Sequence, residues 1–218
     1  MSEFPPGLIL ILGALLVPLL RGHLRNAYML ALPIVGFWGL LTIPEGQHFV
    51  FQLFGYTLNP VRVDRLSLVW GYIFHIAAAI SIIYAFHIRD TMQQMAALIY
   101  AGAAIGGAFA GDLISLFVYW EGTAIASVFL IWATRTEAAY RAGMRYLIIQ
   151  VGSGVLLLGG AIVLLNDTGS LVFGKMELKG LGPVLIFLAF GIKAAFPLLH
   201  NWLQDAYPQA TVTGTVFL

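Results

Sequence analysis

An all-α, polytopic transmembrane helix bundle is the fold class that these 218 residues predict. Three observations carry that expectation. Hydrophobic residues make up 60% of the chain and charged residues only 10%, with a mean hydropathy of +0.90. A soluble domain uses roughly 25% charged residues to cover its surface. The apolar residues also come in runs long enough to cross a bilayer, which takes about 20 residues of helix. Finally, 11 Lys and Arg against 10 Asp and Glu leave a net charge of +1, so there is neither a basic footprint for nucleic acid nor an acidic tail. With no cysteine, disulfides, thiolate metal sites, iron–sulfur ligation and cysteine nucleophiles are excluded within these residues.

Seven spans follow from the apolar runs, over residues 5–20, 27–44, 66–86, 95–111, 113–133, 146–165 and 182–203, and an eighth starts near Thr211. The chain then stops in apolar sequence, Thr215-Val216-Phe217-Leu218, so the expectation is one transmembrane domain over 1–218, the N-terminal piece of a longer protein. Met1-Ser2-Glu3 supplies no basic segment ahead of the first run, and no small-residue cleavage site follows it, so that run reads as a retained span. Arg21, Arg25, Arg89, Arg135, Arg141 and Arg145 fall in the loops of one side, and Arg62, Arg65, Lys175 and Lys179 in those of the other. The larger set is cytoplasmic by the positive-inside rule, which puts the N-terminus outside a bacterial or archaeal cell membrane. Residues 47–63 alternate Phe49, Phe51 and Leu53 with other residues before Gly55 and Asn59-Pro60, the pattern of a short external hairpin. Glycines spaced four apart, Gly102 with Gly106 and Gly107 with Gly111, suit close helix packing in lipid.

Two charged residues fall well inside spans. Glu121 lies nine residues after Asp112, about 14 Å along a helix, and Lys193 eleven after Gly182, about 16 Å. Both spans run from outside to inside, so the two charges share a depth near the bilayer centre. Each costs about 2.5–3.5 kcal/mol on insertion scales. Such residues mark ion or proton paths, or else pair as a structural staple. At about 4 Å and an effective dielectric of about 20, the pair is worth roughly 4 kcal/mol, enough for either role. Pro197 follows Lys193 by four residues and predicts a kink or break, which at membrane depth lines a cavity or packs in protein. His200, seven residues after Lys193, falls on the same helical face and is a candidate proton relay toward Asp205 in the following loop. Asp112 reads as the N-cap of its span. His75 reads as a packed imidazole, Gln150 and Ser153 as helix glue beside the pair, and Arg141 and Arg145 as interfacial anchors.

Two signatures carry a family resemblance. Val118-Tyr119-Trp120-Glu121 resembles the Trp-Glu signature in the fifth helix of antiporter-like subunits. The stretch from Gly191-Ile192-Lys193 through Phe196-Pro197 to His200-Asn201-Trp202-Leu203-Gln204-Asp205-Ala206 resembles their seventh-helix signature. Val63-Asp64-Arg65-Leu66-Ser67 resembles the stretch before their third helix, with Arg65 in place of glycine. The family joins Mrp-type Na+/H+ antiporter subunits of the D kind, the large proton-pumping subunits of NADH:quinone oxidoreductase (complex I), and antiporter-like subunits of membrane-bound hydrogenases. Departures from its pattern are Lys193-Ala194-Ala195 for the usual Lys-x-Pro, Gln204 for proline, Tyr207 for histidine and Ala210-Thr211 for Ala-Pro.

The resemblance implies a fold of about fourteen helices in two inverted five-helix repeats, each with a broken helix, of which this chain covers the first eight helices incompletely and so most of the first repeat. It implies that Glu121 and Lys193 are the family's essential charges and His200 its relay histidine. It implies partner membrane subunits of a multi-subunit antiporter or respiratory complex, with protons and Na+ as the transported ions. No motif for a flavin, quinone or cluster is present, so no cofactor and no redox site is expected in this chain. The reading favoured is a proton-translocating subunit of an Mrp-type antiporter; its rivals are a redox-driven proton pump, a membrane scaffold whose charges only hold helices together, and a free-standing secondary transporter.

Overall fold

The computed structural model describes residues 5–53 and 55–218. Helices account for most of it, as the composition requires. They are α1 (Leu8–Ala14), α2 (Gly22–Leu40), α3 (Arg65–Tyr84), α4 (Thr91–Phe109), α5 (Leu113–Trp132), α6 (Glu137–Thr168), α7 (Leu181–Lys193), α8 (Asn201–Ala206) and α9 (Val212–Phe217). The segment between α2 and α3 forms the expected hairpin in two tiers. β1 (Gly46–His48) pairs antiparallel with β4 (Val61–Val63), and β2 (Phe51–Leu53) with β3 (Tyr56–Leu58).

Three helical stretches are long and apolar enough to cross a membrane: Arg65–His87, Leu113–Trp132 and Glu137–Thr168. This is a membrane protein with several candidate transmembrane helices. α2 and α4, at 19 residues each, reach about 28 Å. The first expected span is not one continuous helix, and the seventh is broken, as its proline predicts. The first run breaks after Ala14 into a 3-10 turn, Val17–Leu19, because Pro18 cannot donate the next helical hydrogen bond. The seventh run ends at Lys193, so the expected span over 182–203 divides into α7 and α8. α6 starts earlier than its apolar run. Its first turns carry Glu137 and Arg141, joined at 3.1 Å across one helical turn, and its 32 residues extend about 48 Å.

α4 packs between α1 and α5, α5 between α4 and α6, and α6 against α7. Glycines allow the closest approaches. A β-carbon at Gly160 of α6 would stand 2.9 Å from the Gly182 carbonyl of α7, so no side chain fits between those backbones.

The helix ends are fixed by side chains. Asp64 and Ser67 close a reciprocal capping box on α3. Asp112, fully buried, caps α5 by accepting the Ser115 amide and hydroxyl, each at 2.7 Å. It also accepts the Asn59 amide at 2.7 Å, which ties the hairpin to the bundle. The expectation that Asp112 is an N-cap therefore agrees with its geometry. At the opposite end, Arg135 meets Asp90 at 2.7 Å, Arg25 donates to Thr91, and Arg145 meets Asp205. The arginine-rich loops thus gather on one end of the bundle.

Candidate functional site

The site lies where α5, α6 and α7 meet. Trp120 and Thr123, one turn apart on α5, face α7. Lys193, the last residue of α7, lays its ammonium on that face. Its Nζ donates to Thr123 Oγ1 at 2.8 Å and to the Trp120 carbonyl at 3.3 Å, and sits 5.1 Å from the Trp120 ring centroid. A cation over an indole face is attracted by the ring quadrupole. The ring itself is held from both sides. Its Nε1 donates to Ser153 Oγ of α6 at 3.0 Å, and Phe190 of α7 packs edge-on at 5.0 Å.

Glu121 points elsewhere. Its position on α5 is rotated from that of Trp120 by one residue, about 100°, toward α6. The carboxylate fills the notch left by Gly154, where any β-carbon would overlap Oε1. Oε1 is buried and has no hydrogen-bond partner among the described residues. Gln150, fully buried one turn before Gly154, likewise has both side-chain polar atoms without partners there. Ser153 donates to the Gln150 carbonyl at 2.6 Å. The sequence left a proton-path pair and a structural staple both open for Glu121 and Lys193. Among the described residues no ion pair joins them, because each charge has its own seat on a different face of α5.

The break after Lys193 has its own chemistry. Ala195 is left-handed, with φ of 54°. The Ala195 amide donates to the Ile192 carbonyl at 3.1 Å and the Phe196 amide to the Gly191 carbonyl at 2.9 Å. That pairing is a Schellman closure with alanine where glycine is usual. Pro197 lies inside the break and has no N–H for the carbonyl of Lys193, four residues earlier, where α7 ends, in keeping with the kink or break expected from it. Trp202 of α8 donates from Nε1 to the Ile192 carbonyl at 2.9 Å and packs edge-on to Tyr146 at 5.5 Å. These contacts hold the second half of the broken helix.

Two relay candidates change place. His200 stands before α8, beyond the break, so it does not share a helical face with Lys193. Its ring makes no hydrogen bond to the described residues, while its carbonyl accepts the Leu203 amide at 2.9 Å. Asp205 lies within α8 and not in a loop, and its two oxygens accept from Arg145 at 2.7 and 2.8 Å. That bidentate bond holds its carboxyl below the ordinary range. His75 is buried and donates from Nδ1 to the Gly71 carbonyl at 2.7 Å, remote from the pair on α3. Among the described residues, no cluster of His, Asp and Glu has a metal-holding arrangement.

Sequence reasoning missed Thr123, Gly154 and Trp202. Thr123 is legible only as one turn beyond Trp120, and Gly154 only as one of many small residues on α6.

A family model, described as NADH:quinone oxidoreductase/Mrp antiporter, TM, matches residues 110–218, half of the chain. The chain belongs to that antiporter-like family. Curated relatives of this family member include the A subunit of a Na(+)/H(+) antiporter from Alkalihalophilus pseudofirmus, 29% identical over 229 residues, and the A1 subunit of one from Staphylococcus aureus, 28% identical over 230. Each alignment covers 91% of this chain and 28% of the relative, so the chain spans under a third of their length. Among solved structures, the archaeal membrane-bound sulfane sulfur reductase matches with a TM-score of 0.86 at 21% identity, over 99% of this chain and 38% of that one. Respiratory complex I from Thermus thermophilus matches at 0.79 and 20%, over 100% and 49%. The Mrp complex from Dietzia sp. DQ12-45-1b matches at 0.81 and 20%, over 97% and 26%. These likenesses establish a complex I-like antiporter fold. The antiporter-like family comprises cation-translocating membrane subunits, and the structures matched are parts of multi-subunit membrane complexes.

Proposed function

We propose that this chain is the first-repeat part of a proton-translocating subunit of an Mrp-type Na+/H+ antiporter, set in a bacterial or archaeal cell membrane with its N-terminus outside. In this reading residues 1–218 form one transmembrane domain of seven spans and the start of an eighth. Glu121 and Lys193 carry the proton path, His200 and Asp205 lie toward its cytoplasmic end, Asp112 fixes α5, and Pro197 keeps the break open. Other membrane subunits complete the assembly, and Na+ is the exchanged ion.

One observation carries the reading. Two opposite charges, Glu121 midway along α5 and Lys193 at the end of α7, occupy separate seats, with Lys193 on Thr123 and Trp120 and Glu121 against Gly154. A structural staple gains its energy from contact, and here contact is absent. A proton site needs two arrangements within reach of each other, and a flexible lysine beside an unpaired carboxylate supplies them. The relatives named as Na(+)/H(+) antiporter subunits favour sodium exchange.

The test uses inverted vesicles holding the full-length protein with its native partners, and a pH-sensitive dye. Sodium should collapse an established gradient in wild type and fail to do so in Lys193→Ala with the complex still assembled. Undiminished transport in that variant would sink the assignment. A second reading, a proton-pumping arm of a redox complex, is favoured by the fold likeness to the sulfane sulfur reductase. It is recognised by a Lys193-dependent gradient built on adding the electron donor, with no response to sodium.

A further inference from the structure

We infer that the arginine-rich end of this chain carries a binding site for the headgroup of an anionic phospholipid, in the cavity between the start of α2 and the junction of α3 with α4. The chain has eight arginines, and five of them, Arg62, Arg65, Arg135, Arg141 and Arg145, meet a carboxylate within 4.0 Å. The other three, Arg21, Arg25 and Arg89, have no such partner among the described residues. All three line one cavity of about 370 Å³, with His23 beside them and Phe86 and Ile88 as its apolar wall. Among the described residues, no acidic side chain lines it. Asp90, the next residue after Arg89, is engaged by Arg135 and by the first turn of α4.

Arg25 is oriented without being neutralised. Its Nε donates to the Leu20 carbonyl at 2.8 Å, and Nη1 to Thr91 at 2.9 Å and Gln94 at 3.2 Å. A guanidinium fixed by neutral acceptors, flanked by two more, suits a phosphate oxygen set. The volume is of ligand-pocket size. A lipid is favoured over a soluble anion by what adjoins the cavity. The chain leaves α1 through exposed Leu16 and Leu19, the latter 76% accessible, and exposed Leu24 follows Arg21. Those exposed side chains flank Arg21 and Arg25 in the sequence and offer acyl contact. The positive-inside rule puts this end in the cytoplasmic leaflet, where anionic lipids concentrate.

The experiment purifies the full-length protein with its partners in mild detergent and counts retained lipids by native mass spectrometry. It then repeats the count after exchange into nanodiscs of phosphatidylcholine with or without phosphatidylglycerol. Wild type should hold a phosphatidylglycerol that Arg21→Gln/Arg89→Gln lacks. Neither substituted residue is buried, so folding should survive, as circular dichroism and elution volume would record. Arg141→Gln, which removes an equally interfacial but ion-paired arginine, should keep the lipid. Equal lipid in wild type and double variant would overturn the site, as would equal loss in Arg141→Gln, which means diffuse attraction. Displacement by inorganic phosphate alone would overturn the lipid reading in favour of a soluble anion.

Discussion

Thr123 gives the candidate site its sharpest residue-level test. A hydroxyl accepting from a half-buried ammonium is worth about 1.5–3 kcal/mol, more than the methyl beside it contributes by packing. Thr123→Val keeps the shape and deletes the acceptor, whereas Thr123→Ser keeps the acceptor and deletes the methyl. Transport in the vesicle assay should therefore fall with valine, by about tenfold for every 1.4 kcal/mol lost, and be largely kept with serine. The opposite order would mean that Thr123 only packs. The sequence shows the charges Glu121 and Lys193 and their common depth, because spacing along a helix sets depth. It does not show which way each side chain turns around α5. That follows from the Gly154 notch and the Trp120 ring, which depend on packing between three helices.

At the scale of the element, the broken helix invites two tests. Ala195 holds a left-handed conformation that costs an L-residue roughly 1–2 kcal/mol. Ala195→Gly should relieve most of that and raise thermal stability in detergent, while Ala195→Val should lower it. The second test concerns the link from α6 to α8. Asp205 is held below the ordinary carboxyl range by its bond to Arg145. A group whose folded-state value is depressed stabilises the fold above its unfolded value, about 3.9, and loses that contribution as pH falls through the folded one. The pair is solvent-exposed, so the effect is small. Wild type should melt slightly above Arg145→Gln at pH near 7 and equally with it once acid has protonated Asp205. A gap that persists in acid would mean Arg145 acts through packing alone. The proline at 197 marks the break, since α7 ends at the carbonyl four residues before it; the left-handed turn that closes the helix is not legible, because glycine is its usual signal and alanine occupies that position.

At the scale of the whole molecule, the segregation of arginines is legible in the sequence, and the bonds Arg135 to Asp90 and Arg145 to Asp205 gather those loops at one end. A membrane-impermeant thiol reagent checks the orientation, since these residues contain no cysteine. Arg141→Cys should react only in inverted vesicles, and Lys175→Cys only in right-side-out cells. The reverse pattern would turn the protein over. What hydropathy overstated was uniformity. Runs of similar apolarity became helices as different as seven-residue α1 and 32-residue α6, because a proline ends the one and a charged i,i+4 pair extends the other beyond its apolar stretch.

The indole of Trp202 grips the carbonyl of Ile192, the residue that immediately precedes Lys193. α8 is in turn packed through the same ring against Tyr146 of α6 and pinned to α6 by Arg145. The peptide bearing the lysine is thus anchored through a short lever whose far arm lies at the arginine-rich end. A push delivered there, by a neighbouring protein or by the rest of the chain, has a mechanical route to the ammonium that crosses no open water and needs no long-range field.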